Sequence, residues 1–345
     1  MYSWHKAWML AIALTPFLSS QSLLLAADDD GGEDLYSRIV KSSVFIQSKR
    51  PNGLSMGSGS LIDAERKIIL TNYHVVHNND TCWVQFPVYD KSGTMLTDKK
   101  KYFEFVRDNV STYVGKVMYR DKHRDLALVY LKSLPPGTKA LKIAEKSVSP
   151  GMTVWNIGNA GNDELLFGIT KGDVRSVGYR EFPVRLDATE MLFIKAKMVC
   201  ATNPTNPGES GGPMFNKRGE LVAVTQGGAV DAQGVNTFVD IAEVKAFLAE
   251  KKIDIKDASG QSTVQLVTSK TTTTTPDPKK ELTLNKEKQE KDAKNEFGIL
   301  QITYSNHGGE ESKKERYVTE LKQFIVKYSG TKAASDAKKI LDGLN

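Results

Sequence analysis

The segment with the most specific chemical pattern is Asn206-Pro207-Gly208-Glu209-Ser210-Gly211-Gly212-Pro213-Met214-Phe215. Glycines on both sides of Ser210 allow the backbone to turn sharply, so that the hydroxyl projects from the turn. The N–H groups of Gly208 and Ser210 can then point together at one oxyanion. The alternative interpretation is a plain glycine-rich turn between two strands. Taken with the two segments described next, the pattern predicts a nucleophilic serine beside an oxyanion hole.

Two further segments supply a candidate base and a candidate acid. His74 lies near the end of the run Ile68-Ile69-Leu70-Thr71-Asn72-Tyr73-His74-Val75-Val76, and Asp125 opens the apolar part of Arg124-Asp125-Leu126-Ala127-Leu128-Val129. Taken alone, His74 is more typical of a packed core histidine, and Asp125 is more typical of a strand or turn terminus. A serine nucleophile needs a base to take its proton, and the base needs an acid to orient its ring. The three segments together predict that His74, Asp125 and Ser210 are the catalytic residues.

Three other titratable residues lie near these segments. His77 and His123 stand beside the motifs but out of register with them, and Asp121 does not lead directly into the apolar strand. We interpret all three as surface loop residues. The chemistry expected of the three chosen residues needs no cofactor and no metal ion.

The region around the motifs, from Tyr36 to Leu248, has the pattern of an all-β domain. Short apolar and β-branched runs are punctuated there by Gly, Pro, Asn and Asp, without helical segments between them, which predicts barrels or a sandwich. The runs include Ser43 to Ile46, Lys67 to Leu70, Trp83 to Phe86, Leu126 to Leu131, Val154 to Ile157 and Leu221 to Val224. Helical spacing first occurs in Ala242 to Lys252, which we expect to close the domain.

The combined pattern resembles the trypsin-like serine proteases, and within them the HtrA type. The resemblance extends from about Val44 to Leu248 and is carried by Gly57 to Ile62, Thr71 to Val76, Asp125 to Val129, Gly208 to Pro213 and Gly219 to Val224. The chain order His, Asp, Ser is also that of the chymotrypsin-like arrangement. The resemblance implies two six-stranded antiparallel β-barrels with the catalytic residues in the cleft between them. The expected activity is cleavage of polypeptides, among them unfolded or misfolded exported proteins, through an acyl-enzyme.

The resemblance also assigns a substrate-binding edge. It implies that Thr225, Gln226 and Gly227 pair with the substrate backbone as an added strand, and that Gly234 faces Gly227 across the primary pocket. Pro204 stands where trypsin carries the acid that selects basic residues. We therefore expect an uncharged, apolar residue before the cut.

Two departures from the family pattern bear on function. Glu209 stands where the family usually has Asp or Asn, so the region beneath the oxyanion loop is expected to differ. If Glu209 holds this loop collapsed, the chain would bind unfolded polypeptides without cutting them, as a catalytically weak chaperone-like or scaffold protein. An esterase on the same scaffold is a third hypothesis. The family usually continues into a PDZ domain, which is not recognisable in this sequence.

Composition divides the chain of 345 residues into four parts. Lys6, an apolar run and small residues predict a signal peptide over residues 1–27, with an uncleaved anchor as the alternative. The protease domain is expected over 28–250, followed by a disordered linker rich in Thr, Lys and Glu over 251–295. Residues 296–345 have the spacing of a helical hairpin similar to half of a tetratricopeptide unit. The protein is therefore expected to be secreted or periplasmic.

The charge distribution argues against a nucleic-acid partner. Residues 28–250 carry 28 Lys and Arg against 27 Asp and Glu, whereas 251–345 carry 18 against 14, so the net charge of +6 belongs mostly to the tail. Interspersed signs in the tail are typical of a solvated surface. The expected partners are polypeptide substrates, without stable membrane insertion after signal cleavage. The hairpin either binds a second subunit or another partner or remains a solvated appendage.

The two cysteines place a limit on disulfide bonding. Cys82 and Cys200 are too few for a disulfide scaffold. Export to an oxidising compartment would permit one bridge between them, and the sequence leaves this open.

Overall fold

The computed structural model describes residues 32–50, 53–186, 191–228, 236–264 and 311–344, together with residues 286, 289, 290, 293, 294, 297, 298, 300 and 301. The predicted signal peptide lies outside the described residues. No helix in this part of the chain is long and apolar enough to cross a membrane.

The first barrel follows helix α1 (Gly32–Ile39) and a 3-10 turn (Val40–Ser42). Six antiparallel strands close it in the order β1-β2-β3-β8-β7-β4. Their bounds are Ser43–Arg50 for β1, Gly53–Asp63 for β2, Ile68–Thr71 for β3, Thr81–Gln85 for β4, Tyr113–Asp121 for β7 and Leu126–Tyr130 for β8. The short helix α2 (Tyr73–Val76) follows β3. The insertion between β4 and β7 holds β5 (Val88–Tyr89), β6 (Met95–Leu96) and helix α3 (Lys99–Arg107).

The second barrel also has six antiparallel strands, in the order β10-β11-β14-β13-β12-β9. Their bounds are Thr153–Gly158 for β9, Gly168–Arg185 for β10, Met191–Ala201 for β11, Pro213–Phe215 for β12, Leu221–Gly228 for β13 and Asn236–Asp240 for β14. Helix α4 (Ile241–Glu250) follows and begins at Asp240, whose carboxylate accepts a hydrogen bond from Ala242 N. The mostly-β fold predicted from the short apolar runs is confirmed, and the closing helix lies within a residue or two of its predicted bounds.

The period-two alternation of the strands divides the apolar side chains among three cores. In β1, Val44 and Ile46 lie inside the first barrel, whereas Phe45 packs in a core shared by both barrels. In β8, Ala127 and Val129 lie inside the barrel while Leu128 joins the shared core. A strand directs successive side chains to opposite faces, so each strand can serve two cores. The shared core therefore holds the two barrels against each other.

The start of the predicted linker is packed on the domain instead of disordered. Ile253, Ile255, Asp257 and Thr263 are all at least nine-tenths buried. Asp257 forms a 2.7 Å ion pair with Lys245 of α4, a lysine with only 7% of its side chain exposed. The composition of residues 251–264 is polar, but a buried ion pair and two isoleucines are enough to fix them. The linker prediction over 251–295 is wrong for this segment.

The C-terminal helices form a core of their own. Helices α5 (Glu311–Lys327) and α6 (Lys332–Leu344) lie within the predicted hairpin. Further helical residues between 286 and 301 add Ala293 and Phe297 to the same apolar cluster, where Phe297 stacks on Phe324 at 5.5 Å. The apolar side of the hairpin, which was expected either to bind a partner or to remain solvated, is therefore partly covered from within the tail. Part of the predicted linker is helical because its apolar residues pack on this side of the hairpin.

The two cysteines are not joined. Cys82 lies in the first barrel and Cys200 in the second, and both are buried as free thiols. Burial raises the pKa of Cys82 to about 12, so this thiol stays protonated at neutral pH. The bridge that export would permit is absent from the described structure.

We expect truncation after residue 252 to lower the free energy of unfolding by about 3 kcal/mol or more, because Lys245 would remain buried without Asp257. Truncation after residue 264 is the matched control, since it removes the same tail but keeps the packed segment. Urea unfolding of the two truncated proteins measures the difference. Equal free energies of unfolding would show that the segment does not stabilise the domain.

Candidate active site

His74, which follows β3, and Asp125, which precedes β8, are in direct contact on the first barrel. Asp125 Oδ2 lies 2.7 Å from His74 Nδ1, and Asp125 Oδ1 accepts a 2.9 Å hydrogen bond from His74 N. Because an ionised carboxylate can only accept, Nδ1 carries the hydrogen and Nε2 remains free to accept a proton. The sequence prediction that these two residues lie together is reproduced by the geometry.

Asp125 is held in an uncommon backbone conformation. Its φ of 53° lies in the left-handed region, where Asp is one of the few tolerated side chains. Asn72 Nδ2 donates a 2.8 Å hydrogen bond to Asp125 O, and the Asp125 side chain is fully buried. The turn before β8 therefore directs the carboxylate at the imidazole.

Ser210 lies in the loop before β12, on the second barrel. Its side chain is nearly buried, and its hydroxyl donates a 3.0 Å hydrogen bond to Gln226 O. Among the contacts of the described residues there is no hydrogen bond between Ser210 and His74. The structure thus pairs His74 with Asp125, while the Ser210 hydroxyl is turned toward β13.

The backbone of the Ser210 loop presents two unused donors. Neither Gly208 N nor Ser210 N has an acceptor within the described part of the chain. Gly208 adopts a φ of 99°, and a Cβ there would lie 2.4 Å from Asn159 O, so only glycine fits. Two N–H groups without partners beside a serine hydroxyl have the arrangement of an oxyanion hole.

Glu209 stabilises this loop through hydrogen bonds with Asn206. Its carboxylate accepts a 2.6 Å hydrogen bond from Asn206 N, and its own N donates to Asn206 O at 3.1 Å. Its Cβ and Cγ occupy the space left by the missing side chain of Gly158. Burial raises the pKa of Glu209 above its ordinary value. The larger acid noted in the sequence is thus accommodated by a glycine on β9.

Ser58 joins the two barrels directly beneath the site. Its N donates to Ser210 O at 2.8 Å, and its hydroxyl donates to Gly208 O at 2.9 Å. The same hydroxyl accepts from both N and Nδ2 of Asn159, each at 3.0 Å. Ser58 O accepts from Thr71 Oγ1, three residues before His74. No sequence pattern distinguishes Ser58, because small polar residues in a strand are rarely distinctive.

The predicted substrate edge lies at the end of β13. Thr225 N and O still pair with Gly212 and Gly211, whereas Gly227 pairs only with β14 among the described strands. The Gln226 side chain accepts a 2.8 Å hydrogen bond from Thr237 Oγ1. Among the described strands, β14 is the only partner of the edge beyond Thr225, and one carbonyl of this edge, Gln226 O, accepts the Ser210 hydroxyl. Another strand can pair here once Ser210 Oγ leaves Gln226 O. Gly234, the fourth predicted residue, lies outside the described residues.

The three other titratable residues near the motifs, His77, His123 and Asp121, differ in their surroundings. His123 is exposed, as predicted, and His77 is half-buried beside Tyr73. Asp121 is not a free surface residue, because its carboxylate forms a 2.5 Å ion pair with Arg124 and is only 14% exposed. Asp121 therefore binds Arg124, and of the two aspartates only Asp125 forms hydrogen bonds with His74.

Comparison with known proteins finds a matching family model and similar proteins. Residues 57–224 match the family model of the trypsin-like peptidase domain. The chain is 29% identical over 192 residues to a protein of Synechocystis sp. named "Putative serine protease HhoA". The aligned region covers 55% of this chain and 41% of the relative. It is 25% identical over 185 residues to an HtrA-like serine protease of Staphylococcus aureus, covering 49% of this chain and 24% of the relative. The chain spans less than half the length of these relatives.

A solved structure shares the fold. The crystal structure of the active form of a protease from M. tuberculosis aligns with a TM-score of 0.50 at 20% identity, covering 70% of this chain and 93% of that chain. At this identity the likeness concerns the fold alone. The double-barrel arrangement is thus one already seen in a protease.

Replacement of Ser58 by Ala is expected to lower the free energy of unfolding by about 2 kcal/mol, because Gly208 O and the Asn159 donors lose a buried partner. Ser60→Ala is the matched control, since Ser60 lies on the same strand, is fully buried, and has a hydroxyl without a hydrogen-bond partner among the described residues. Chemical denaturation should show little change for this control. Similar losses for both variants would contradict the bridging role of Ser58.

Proposed function

Residues 57–224 form a trypsin-like peptidase domain, and on this basis we propose that the chain is a serine endopeptidase with His74, Asp125 and Ser210 as its catalytic triad. The observation that carries the proposal is the 2.7 Å contact between His74 Nδ1 and Asp125 Oδ2, with the Ser210 loop offering two unused N–H donors nearby. The orientation of the His74 ring by Asp125 and the absence of acceptors for Gly208 N and Ser210 N among the described residues support this proposal.

The mechanism requires one side-chain movement. Ser210 Oγ turns from Gln226 O toward His74 Nε2, which takes the hydroxyl proton as the oxygen attacks the scissile carbonyl. Gly208 N and Ser210 N stabilise the negative charge that develops on the carbonyl oxygen. The imidazolium then protonates the leaving amine, and water hydrolyses the acyl-enzyme by the same route. Asp125 holds the ring in the required tautomer and stabilises its positive charge.

The proposed substrates are extended polypeptide segments. Once Ser210 Oγ has turned away from Gln226 O, the edge of β13 at Gln226 and Gly227 would bind such a segment as an added strand. A compactly folded protein does not offer such a segment. Unfolded or misfolded exported proteins supply such segments, provided that the predicted signal peptide directs this chain out of the cytoplasm. Pro204 offers no charge for a basic residue, so an uncharged residue before the cut is proposed.

One observation favours a second function. The hydrogen bond from Ser210 Oγ to Gln226 O holds the nucleophile away from His74. If this state persists with substrate bound, the cleft would hold unfolded polypeptides without cutting them. Incubation of the mature protein with a fluorophosphonate probe and with unfolded casein separates the two functions. Labelling with cleavage supports the protease, whereas casein binding without either supports the chaperone-like protein.

We expect Ser210→Ala to abolish fluorophosphonate labelling and to leave only residual proteolysis, because the nucleophile is removed while binding remains. The fold should be unchanged, since the substitution deletes only one hydroxyl that bonds to a backbone oxygen. Circular dichroism and casein cleavage, measured on the same preparation, test this expectation. Cleavage at the wild-type rate would exclude Ser210 as the nucleophile.

Asp125→Asn is expected to lower kcat by on the order of a thousandfold or more, because an amide donor facing Nδ1 favours the wrong tautomer. Asp121→Asn provides the control, since this residue contacts Arg124 and not His74. Turnover of a chromogenic peptide with an uncharged residue before the cut measures both. A larger loss for Asp121→Asn than for Asp125→Asn would reverse the assignment.

A further inference from the structure

The insertion between β4 and β7 is fastened to the loop that precedes β10. Lys99 N donates to Glu164 O, and Leu166 N donates to Thr97 O, both at 2.8 Å. Asp98 and Leu165 form an isolated antiparallel bridge between these contacts. The start of helix α3 is thus fixed in register against residues 160–166.

The Lys99 side chain adds a cation to this contact. Its Nζ donates to Gly161 O at 2.9 Å, to Ala160 O at 3.5 Å and to Asp163 O. An ammonium group has three N–H donors, so all three have a backbone acceptor here. Three carbonyl dipoles that converge on one point repel one another unless a positive charge lies among them. Lys99 therefore stabilises a loop conformation that the loop alone would not keep.

The loop in turn holds the backbone of the oxyanion hole. Ala160 O and Gly161 N belong to one planar trans peptide and point in opposite directions. Lys99 binds the oxygen side of this peptide, while Gly161 N donates a 2.6 Å hydrogen bond to Pro207 O. The peptide from Pro207 to Gly208 has the same geometry, so fixing Pro207 O directs Gly208 N away from the loop. A shift of the Lys99 ammonium would therefore move both peptides in turn and change the direction of Gly208 N, an oxyanion donor.

We propose that Lys99 is a positioning residue for the oxyanion hole, acting through the loop at Gly161 and Pro207. The proposal rests on the proposed serine protease function. The alignment of the oxyanion hole then depends on the inserted helix α3, which lies outside both barrels. A partner or condition that lifts α3 from the loop would release Pro207 O and turn the Gly208 N–H away from the substrate.

The test compares Lys99→Met and Lys99→Arg with Lys100→Met. Lys100 is a matched control because its side chain is 78% exposed and its nearest carboxylate, on Glu164, is 3.9 Å away. For Lys99→Met we expect kcat to fall on the order of tenfold to a hundredfold, with KM changed less than about threefold, because one oxyanion donor is misaligned. Affinity for a peptide boronic acid, which mimics the tetrahedral intermediate, should fall in parallel. Lys99→Arg should recover part of the loss, and Lys100→Met should behave as wild type.

Amide hydrogen exchange at Gly161 supplies a readout that does not depend on activity. Exchange at this amide should be faster in Lys99→Met than in Lys100→Met, since Pro207 O would no longer hold the N–H. An inactive wild-type protein would refute the proposed function, while the exchange rates would still test the role of Lys99. A folded Lys99→Met protein with wild-type kcat, boronate affinity and Gly161 exchange would overturn the inference.

Discussion

The hydrogen bonds of Ser58 hold together a site that is divided between two barrels. The imidazole and its carboxylate are carried by the first barrel, whereas the serine loop belongs to the second. Apolar packing in the shared core brings the barrels together but is not directional, so it cannot fix a loop to within a fraction of an ångström. Ser58 supplies directional contacts, because it forms hydrogen bonds with Gly208 O, Ser210 O and both donors of Asn159. A buried hydroxyl with every bond made also excludes alternative packings, because each would leave polar groups without partners.

Near Asp125, ion pairs hold the backbone of the site in place. The Arg124 guanidinium, only 20% exposed, binds the carboxylates of Asp121, Glu243 and Glu250 at 2.5 to 2.8 Å. It thereby ties the turn that carries Asp125 to helix α4. The left-handed backbone at Asp125 needs such external support, since an isolated chain would relax from it. The closing helix, which is far from Asp125 in sequence, therefore helps to hold Asp125 in place.

Sequence reasoning was strongest where a pattern is local. Short apolar runs punctuated by turn residues predicted the mostly-β region, and the residue types in three short segments predicted the contact between His74 and Asp125. It could not find Ser58 or Lys99, because their roles depend on backbone atoms about 100 and 60 residues away that no spacing rule connects. The linker prediction failed at Asp257 for a related reason. Low hydropathy predicts solvation, but a single buried ion pair with Lys245 overrides it.

The continuity of each barrel along the chain has a consequence for maturation. All strands of the first barrel come from residues 43–130 and all strands of the second from residues 153–240, so the first barrel is synthesised in full before the second begins. A nascent chain with only the first barrel formed holds a base and an acid without a nucleophile. The proposed catalytic residues therefore come together only when the two barrels meet. The order of synthesis thus delays the proposed reactivity until the shared core between the barrels is packed.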